Sequence, residues 1–196
     1  MNSAEPIKKL KDLENLKKYY KEVQPNPRNA LLITLGLNTA LRISDILRLK
    51  WESVYDFERK EYKSHICIVE QKTGKNTQIY INRNVADALQ AYKMSLKSKK
   101  KVIQPSDYLF CHSNKNVPIS RVQAFRVIKD AAEYYNIPGV ISCHSLRKTF
   151  GYHAWKQGVS PVLLVTIFNH SSFYVTKRYL GIEQDDKDKV FKKIKL

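Results

Sequence analysis

The sequence lacks any apolar run long enough to span a lipid bilayer. The two most apolar stretches, ALLITLGLNTAL and PVLLVTIF, are shorter than the ~20 residues that a membrane-spanning helix needs. The first residues, MNSAEPIKKLKDLENLKK, have neither the apolar centre nor the small-residue cleavage site of a secretory signal. These absences exclude a membrane protein and predict a chain that stays in the cytoplasm.

Cysteine is scarce, with three residues in the chain: Cys67, Cys111 and Cys143. An odd and scattered set does not form the framework of a disulfide-rich domain. Two of these cysteines precede a histidine, in Cys111-His112 and Cys143-His144, which raises a zinc protein as an alternative. Neither dipeptide has the spacing of a zinc-ligand pair, so we predict no metal site and no cofactor.

Acidic residues are also few. The chain has 18 Asp and Glu against 35 Lys and Arg, which gives a formal net charge of +17 and an isoelectric point of about 9.7. A field this positive attracts polyanions, and phosphate neutralisation supplies most of the non-specific affinity of proteins for nucleic acid. Nucleic acid is therefore the leading partner, and a basic protein without such a partner is the alternative. The 196 residues, 43% of them hydrophobic, suggest one large domain with a folded core.

Apolar periodicity divides the chain into helices around one strand-rich region. Apolar residues repeat at helical spacing over residues 7–20, 27–37, 44–49, 85–96, 120–135, 144–156, 160–168 and 172–180. Two alternating segments, His65–Glu70 and Thr77–Ile81, flank the turn KTGKN and predict a β-hairpin, to which Tyr55–Tyr62 adds a shorter third strand. The predicted fold class is mainly α with a small antiparallel β-sheet (α+β).

Capping residues mark the start of several predicted helices. Pro27 suits the first turn of the second helix, Ser44 and Asp45 can cap the third, and Ser120 can cap the helix that follows it. We divide the chain into an N-terminal helix or linker (1–22), a main domain (23–182) and a charged C-terminal tail (183–196).

Six side chains that are far apart in the sequence could together hold and attack a phosphate. In chain order they are Arg42, Lys72, His144, Arg147, His170 and Tyr179. A guanidinium can hold two non-bridging oxygens of one phosphate, and an imidazole can take or give a proton near neutral pH. His144 and Arg147 are three residues apart at a helix start, hence on one face, where helix N–H groups also favour an anion.

Each of these residues alone also has an ordinary structural interpretation. Arg42 could form a surface salt bridge with Asp45 or Glu52, and Lys72 could be a solvated turn lysine. Tyr179 could be a half-buried aromatic, since it is one of 12 tyrosines. The joint presence of all six residues, each in a specific local sequence, favours the phosphate chemistry.

The local sequences resemble the tyrosine recombinase (phage integrase) family over roughly Lys9 to Leu180. The matching strings are ALRISD at Arg42, QKTGK at Lys72, HSLRKTF from His144, and FNHSS at His170, followed nine residues later by Tyr179. Four positions depart from the family pattern: Ala40, Asp45, Lys148 and Asn169 stand where the family commonly has Gly, Glu, His and Gly. None of these departures removes a catalytic group.

The resemblance implies an integrase-like catalytic domain, over residues 23–182, that breaks and rejoins DNA without a metal ion or ATP. Tyr179 would attack a phosphodiester, form a 3′-phosphotyrosyl link and free a 5′-hydroxyl. The other implied roles are charge stabilisation by Arg42 and Arg147, general base catalysis by His144, a phosphate contact from His170, protonation of the leaving oxygen by Lys72, and orientation of Arg42 by Asp45.

The resemblance also implies partners. One is double-stranded DNA. The other is the protein itself, since four protomers would assemble on two DNA sites and would associate weakly or stay monomeric without DNA. The tail would dock on a neighbouring protomer through Val190, Phe191 and Ile194, or fold back on its own domain. There is no room for the separate N-terminal helical domain of many members, so we expect a short member or a catalytic fragment, of bacterial or phage origin and associated with the nucleoid.

Two alternatives keep the same fold and change the activity. A type IB topoisomerase would relax supercoils with a similar site, but that family usually has Lys where His144 stands. A non-catalytic DNA-binding protein would not require the complete set of catalytic residues that this chain has.

Overall fold

The computed structural model describes residues 4–112, 115–180 and 191–194, and these are mostly helical. The helices are α1 (Leu10–Lys18), α2 (Pro27–Asn38), α3 (Ile43–Leu47), α4 (Arg83–Ser98), α5 (Arg121–Tyr134), α6 (Cys143–Lys156), α7 (Pro161–Phe168) and α8 (Phe173–Leu180), with a π-helical turn at Tyr19–Val23 and a 3₁₀ turn at Trp51–Ser53. The strands are β1 (Tyr55–Asp56), β2 (Glu61–Tyr62), β3 (His65–Val69), β4 (Asn76–Tyr80), β5 (Cys111–His112) and β6 (Lys115–Pro118). The predicted fold class is confirmed.

The strands form three separate antiparallel pairs, β1 with β2, β3 with β4, and β5 with β6, instead of one small sheet. The predicted hairpin is β3–β4, where Ile66 lies opposite Ile79. The expectation of a third strand beside it is wrong. The segment from residue 55 to 62 folds on itself, because Tyr55 pairs with Tyr62 across a short turn.

Short polar side chains and proline begin the helices as their chemistry predicts. Pro27 occupies the first turn of α2, and the side chain of Asn26 accepts a hydrogen bond from the backbone N–H of Asn29 at 3.2 Å. Ser120 caps α5 as predicted, since its Oγ accepts from the N–H of Gln123 at 3.2 Å. These bonds satisfy N–H groups that the first helical turn leaves unpaired.

The predicted cap of α3 is wrong. The residue at the N-cap position is Arg42, so Ser44 and Asp45 both lie inside the helix. Asp45 is buried, and its Oδ1 accepts a hydrogen bond from the backbone N–H of Gln71 at 3.0 Å. Its carboxylate therefore serves the neighbouring hairpin and not its own helix.

The segment before α1 is extended and packs on the main domain, so α1 begins later than predicted. The N–H of Ile7 donates to Thr149 Oγ1 at 2.8 Å, and the carbonyl oxygen of Ile7 lies 3.0 Å from Nε2 of His153, both residues of α6. Leu16 and Tyr20 belong to the main core. The division of the chain into three parts stays a prediction.

Two hydrophobic clusters organise the domain. The main core surrounds α2, whose Leu31, Leu32 and Leu35 are fully buried. A second, smaller cluster joins the loop before α3 to helices α6, α7 and α8; its buried members are Ala40, Leu164, Phe168 and Leu180. This second cluster supports the predicted site residues of α6, α7 and α8.

The second cluster requires a glycine on α6. A Cβ on Gly151 would lie 2.3 Å from Cδ2 of Leu180 and 2.6 Å from the ring of Phe168. Only hydrogen fits at this position, so Gly151 allows α8 to approach α6 closely. The close approach fixes the end of α8 that carries Tyr179.

None of the helices in the described ranges combines the length and apolar character needed to cross a lipid bilayer. Most of the predicted tail, including Val190, lies outside the described residues. Phe191 and Ile194 are described, and both side chains are largely exposed.

Candidate active site

Arg42 projects from a tight corner between α2 and α3. The corner is made by Ala40, which has a left-handed backbone with φ of 55°. Arg42 is 16% exposed, and its NH1 group donates to Oε2 of Glu70. The alternative interpretation, a surface salt bridge from Arg42 to Asp45 or Glu52, is therefore wrong. The carboxylate partner of Arg42 is Glu70, on the hairpin.

Glu70 is a buried acid that the sequence interpretation missed. It is 2% exposed, and besides Arg42 it accepts hydrogen bonds from Thr73 Oγ1 at 3.1 Å, Thr77 Oγ1 at 3.1 Å and Asn169 Nδ2 at 2.8 Å. Burial alone would raise the pKa of Glu70, but the hydrogen bond and charge of Arg42 outweigh it and leave the pKa below its usual value. The carboxylate is therefore ionised at neutral pH.

Asp45 does not perform the function expected of it. We expected it to orient Arg42, but Glu70 contacts that guanidinium while Asp45 Oδ1 accepts from the N–H of Gln71. The other oxygen, Oδ2, is buried and has no hydrogen-bond partner among the residues described. Asp45 thus fixes the start of the loop that carries Lys72.

Arg147 is buried in the first turns of α6 and is held by backbone carbonyls. Its NH1 donates to the carbonyl oxygen of Ala40, and its NH2 donates to that of Phe168 at 2.9 Å. The guanidinium carbon lies 4.7 Å from the centre of the Phe168 ring. The charge of this guanidinium also acts on the hydroxyl of Tyr179, near the end of α8. Arg147 therefore links the α3 corner to the end of α8.

His170 follows α7 and is held by a buried hydroxyl. Its Nδ1 lies 2.9 Å from Oγ1 of Thr176, which is fully buried, and its ring stacks on Phe168 with 5.4 Å between centroids. Burial and the positive charges of Arg147, Arg42 and Lys72 lower the pKa of His170 below its ordinary value. The imidazole is therefore neutral at pH 7, and the tautomer it adopts decides whether Nε2 can donate.

Thr176 contacts Nδ1, the ring nitrogen whose protonation defines that tautomer. Its hydroxyl is 2.9 Å from Nδ1 of His170 and 3.4 Å from the carbonyl oxygen of Ser172, which already accepts the backbone N–H of Thr176. If the hydroxyl proton lies on the shorter contact, to Nδ1, the imidazole hydrogen is on Nε2; if it is donated to the Ser172 carbonyl, the imidazole hydrogen is on Nδ1. Sequence periodicity does not indicate this role, because a threonine near the start of a helix has many ordinary uses.

Tyr179 lies half-buried at the centre of this group. Its ring is 5.1 Å from that of His170 and 5.5 Å from that of Phe168. Burial raises the pKa of Tyr179, and the charge and hydrogen bond of Arg147 together with the charge of Arg42 oppose that effect. The net direction is upward, so Tyr179 is a neutral phenol at pH 7 and needs a proton acceptor before it can attack.

His144 and Lys148 lie one turn apart on α6. His144 is exposed, but partial loss of solvent and then the charges of Arg121, Arg147 and Lys148 hold its pKa below the ordinary value. Nζ of Lys148 lies 5.1 Å from the centre of the Tyr179 ring. A neutral imidazole and an ammonium therefore face the same region as the phenol.

Lys72 lies exposed at the hairpin tip, beside Gly74, whose φ is 64°. No ion-pair partner for its side chain exists within the described part of the chain. Its charge acts on His170, so the hairpin tip faces the same site as the other residues.

The fold thus brings all six sequence-predicted residues to one region, and adds Glu70, Thr176 and Lys148. The roles of the six stay predictions. Three of the six are Arg or Lys cations, and two are imidazoles whose pKa these cations help to lower. The arrangement suits an anion with a reactive centre, such as a phosphate ester. Across the ranges that the structure covers, there is no group of three or more His, Cys, Asp or Glu side chains placed to hold a metal ion.

Comparison with known proteins gives a consistent family. The sequence matches the family model of the phage integrase family over residues 9–185. Probable integrase/recombinase YoeC of Bacillus subtilis is 36% identical over 185 residues, which cover 94% of this chain and 93% of YoeC. Tyrosine recombinase XerD of Mycobacterium leprae is 25% identical over 158 residues, which cover 78% of this chain and 47% of XerD. The chain therefore spans nearly all of YoeC but about half of the longer relative.

Solved structures show the same fold. XerA recombinase superposes with a TM-score of 0.75 at 19% identity, covering 99% of this chain and 68% of its own. XerH recombinase, in a post-cleavage complex with a palindromic difH substrate, has a TM-score of 0.75 at 17% identity, covering 92% and 50%. The named relatives are integrases and recombinases, so the topoisomerase alternative is not favoured.

Proposed function

Because the chain belongs to the phage integrase family, we propose that it is a site-specific recombinase that cleaves and rejoins DNA through Tyr179. The observation that carries the proposal is the position of Tyr179: its ring lies 5.1 Å from that of His170, and the charges of Arg147 and Arg42 act on its hydroxyl. Positive charge around a phenol both binds a phosphate and favours the phenolate.

Cleavage begins with attack of the Tyr179 oxygen on phosphorus. The bond from phosphorus to the 5′-oxygen breaks, and the products are a 3′-phosphotyrosine and a free 5′-hydroxyl. The phenol proton passes to His144, whose lowered pKa provides the neutral imidazole that can accept it. Arg42 and Arg147 stabilise the charge that develops on the non-bridging oxygens, so the step is proposed to need no metal ion.

Two further residues complete the step. Lys72, on the hairpin tip, gives a proton to the leaving 5′-oxygen. His170 donates its Nε2–H to a non-bridging oxygen, in the tautomer that Thr176 favours. Rejoining is the reverse reaction with the 5′-hydroxyl of a partner strand. The phosphotyrosine conserves the energy of the original bond, so no ATP is consumed.

The proposed substrate is double-stranded DNA, and the proposed assembly is four protomers on two DNA sites that associate weakly without DNA. The net charge of +17 supports DNA as the partner. A lambda integrase dimer bound to a core site has a similar fold. Residues 183–196 are proposed to contact the neighbouring protomer, and the exposed Phe191 and Ile194 suit such a contact. A bacterial cytoplasm, at the nucleoid, is the proposed location.

Covalent capture of DNA tests the proposal without knowledge of the target site. Wild type and Tyr179→Phe are incubated with sheared host DNA in EDTA and quenched with SDS, and the DNA attached to protein is sequenced. We expect adducts at discrete 3′ ends with wild type and none with Tyr179→Phe. Tyr174→Phe is the matched control, because Tyr174 is on the same helix, is 73% exposed and should leave capture unchanged.

Other outcomes would point to the alternatives. Adducts scattered over the DNA would favour a topoisomerase. DNA binding without any adduct would favour a non-catalytic DNA-binding protein and would contradict the proposal.

A further inference from the structure

We propose that Glu70 is a positioning residue for catalysis: its buried carboxylate anchors Arg42 and joins it to the Lys72 hairpin and to the turn that carries His170. The inference rests on the proposed function, because the value of these positions depends on phosphate chemistry at Tyr179. It concerns a residue outside the six that the sequence strings indicate.

The carboxylate of Glu70 is saturated by four side-chain donors. Oε2 accepts from Arg42 NH1 and from Thr73 Oγ1 at 3.1 Å, and Oε1 accepts from Thr77 Oγ1 at 3.1 Å and Asn169 Nδ2 at 2.8 Å. The backbone of Glu70 is also paired across the hairpin, since its N–H donates to the carbonyl of Lys75 at 3.0 Å. A carboxylate with this many partners has one defined position.

The four donors belong to three of the segments that form the site. Arg42 is the N-cap residue of α3. Thr73 and Thr77 flank the hairpin tip beyond Lys72. Asn169 ends α7 with a left-handed backbone, φ of 51°, and directly precedes His170. One carboxylate therefore sets the spacing between three parts of the chain that contribute site residues and are far apart in sequence.

Arg42 depends on this anchor for its orientation. Among the described residues, only its NH1 group has a side-chain partner, so Nε and NH2 remain for a phosphate. A free arginine side chain has about 2 kcal/mol of rotamer entropy to lose when it binds. An arginine already held at one edge has lost much of it before DNA arrives, which favours the bound geometry.

Stability alone does not account for an ion pair at this place. Replacing a buried ion pair with apolar side chains of similar volume is often neutral or stabilising, because both charges lose hydration. A gain in stability therefore does not by itself explain the pair, whereas its position beside three site segments has a direct use in the reaction.

Single-turnover cleavage measures the role of Glu70. The substrate is a nicked duplex carrying a site recovered by the covalent capture, and a second substrate has a methylphosphonate at the scissile position. The methylphosphonate lacks the negative charge of the phosphate, so it requires less stabilisation from Arg42. The variants are Glu70→Gln, which keeps the shape and one acceptor oxygen, and Glu70→Ala. The control is Glu61→Gln, which removes an exposed ion pair with Arg59 on the neighbouring β2.

We expect Glu70→Ala to slow phosphodiester cleavage by about 100-fold and Glu70→Gln by about 10-fold, the range for loss of one preorganised donor to a developing charge. On the methylphosphonate substrate, both rate reductions should shrink to about 3-fold or less. The DNA affinity of both Glu70 variants, and the cleavage rates of Glu61→Gln, should stay near those of wild type. This difference between substrates separates positioning of Arg42 from a general loss of folded protein.

Three results would overturn the inference. The first is wild-type rates in both Glu70 variants. The second is an equal loss on both substrates, which indicates a structural residue only. The third is faster cleavage by Glu70→Gln, which indicates that Glu70 withholds Arg42 from the phosphate. If wild type itself forms no covalent product, the proposed function fails first, and this inference fails with it.

Discussion

Replacing Thr176 with valine should make the cleavage rate depend on the ionised form of His170. Valine keeps the size and branching of threonine but lacks the hydroxyl that contacts Nδ1 of His170. Because the pKa of His170 is held below its ordinary value by burial and by neighbouring cations, this imidazole is neutral at pH 7. A neutral imidazole donates from Nε2 only in one tautomer, and we propose that the Thr176 hydroxyl selects it by donating to Nδ1.

The expected magnitude follows from one hydrogen bond. Loss of the buried hydroxyl should lower the free energy of unfolding by about 1 kcal/mol. Loss of a reliable Nε2–H donor to the phosphate should raise the barrier by about 1.4 kcal/mol, which is tenfold in rate. At acid pH the imidazolium carries a hydrogen on both nitrogens. The ratio of variant to wild-type rate should therefore rise from about 0.1 at pH 8 toward one as the pH falls through the pKa of His170, which lies below the ordinary value of about 6.5.

The assay is single-turnover formation of covalent product across that pH range. The ratio of the two rates removes the common effect of His144, which titrates in both proteins. Thr166→Val is the matched control, since the Thr166 hydroxyl donates to a carbonyl of its own helix, that of Val162, at 3.1 Å. A Thr176→Val rate equal to that of wild type at pH 8, or a tenfold defect that does not change with pH, would refute this account of His170.

Two further substitutions test the support of the nucleophile. Gly151→Ala should cost about 1–3 kcal/mol of folding stability and slow cleavage, since its Cβ would meet Leu180; chemical unfolding and covalent capture measure both. Gly158→Ala strains a left-handed backbone, φ of 85°, but its Cβ meets nothing within 4 Å, so it should lose stability without slowing cleavage. Lys148→Met should slow cleavage about 3- to 10-fold, because it removes a cation from the face of the Tyr179 ring. The control is Lys156→Met, since Lys156 also lies above a tyrosine ring, that of Tyr152. Equal cleavage rates in these two variants would contradict a role for Lys148.

Local patterns were sufficient to predict most helices and the hairpin. Pro27 and Ser120 were correctly placed because capping chemistry acts within three or four residues of the chain. The third helix was misjudged at Ser44 and Asp45, because the Asp45 carboxylate is used by the hairpin backbone. The capping propensity of a side chain does not decide its role when a group from another segment of the fold forms a hydrogen bond with it.

The candidate site divides in the same way. Residues such as Arg147 and Tyr179 stand in specific local strings, so a sequence match can find them. Glu70 and Thr176 stand in no such string, and their use appears only when segments far apart in sequence meet. Glu70 left one usable signal. It continues the inward face of β3 after Ile66 and Ile68, and a carboxylate at an inward position requires a buried partner.

The most direct test of the central claim is chemical identification of the protein–DNA link. Captured complexes are digested with nuclease and protease, and the nucleotide-bearing peptide is sequenced by mass spectrometry. The freed DNA end is tested for labelling by polynucleotide kinase without prior phosphatase. The account predicts a 3′-nucleotide on Tyr179 and a 5′-hydroxyl that labels directly. A nucleotide on any other residue, or a 5′-phosphate at the break, would contradict it.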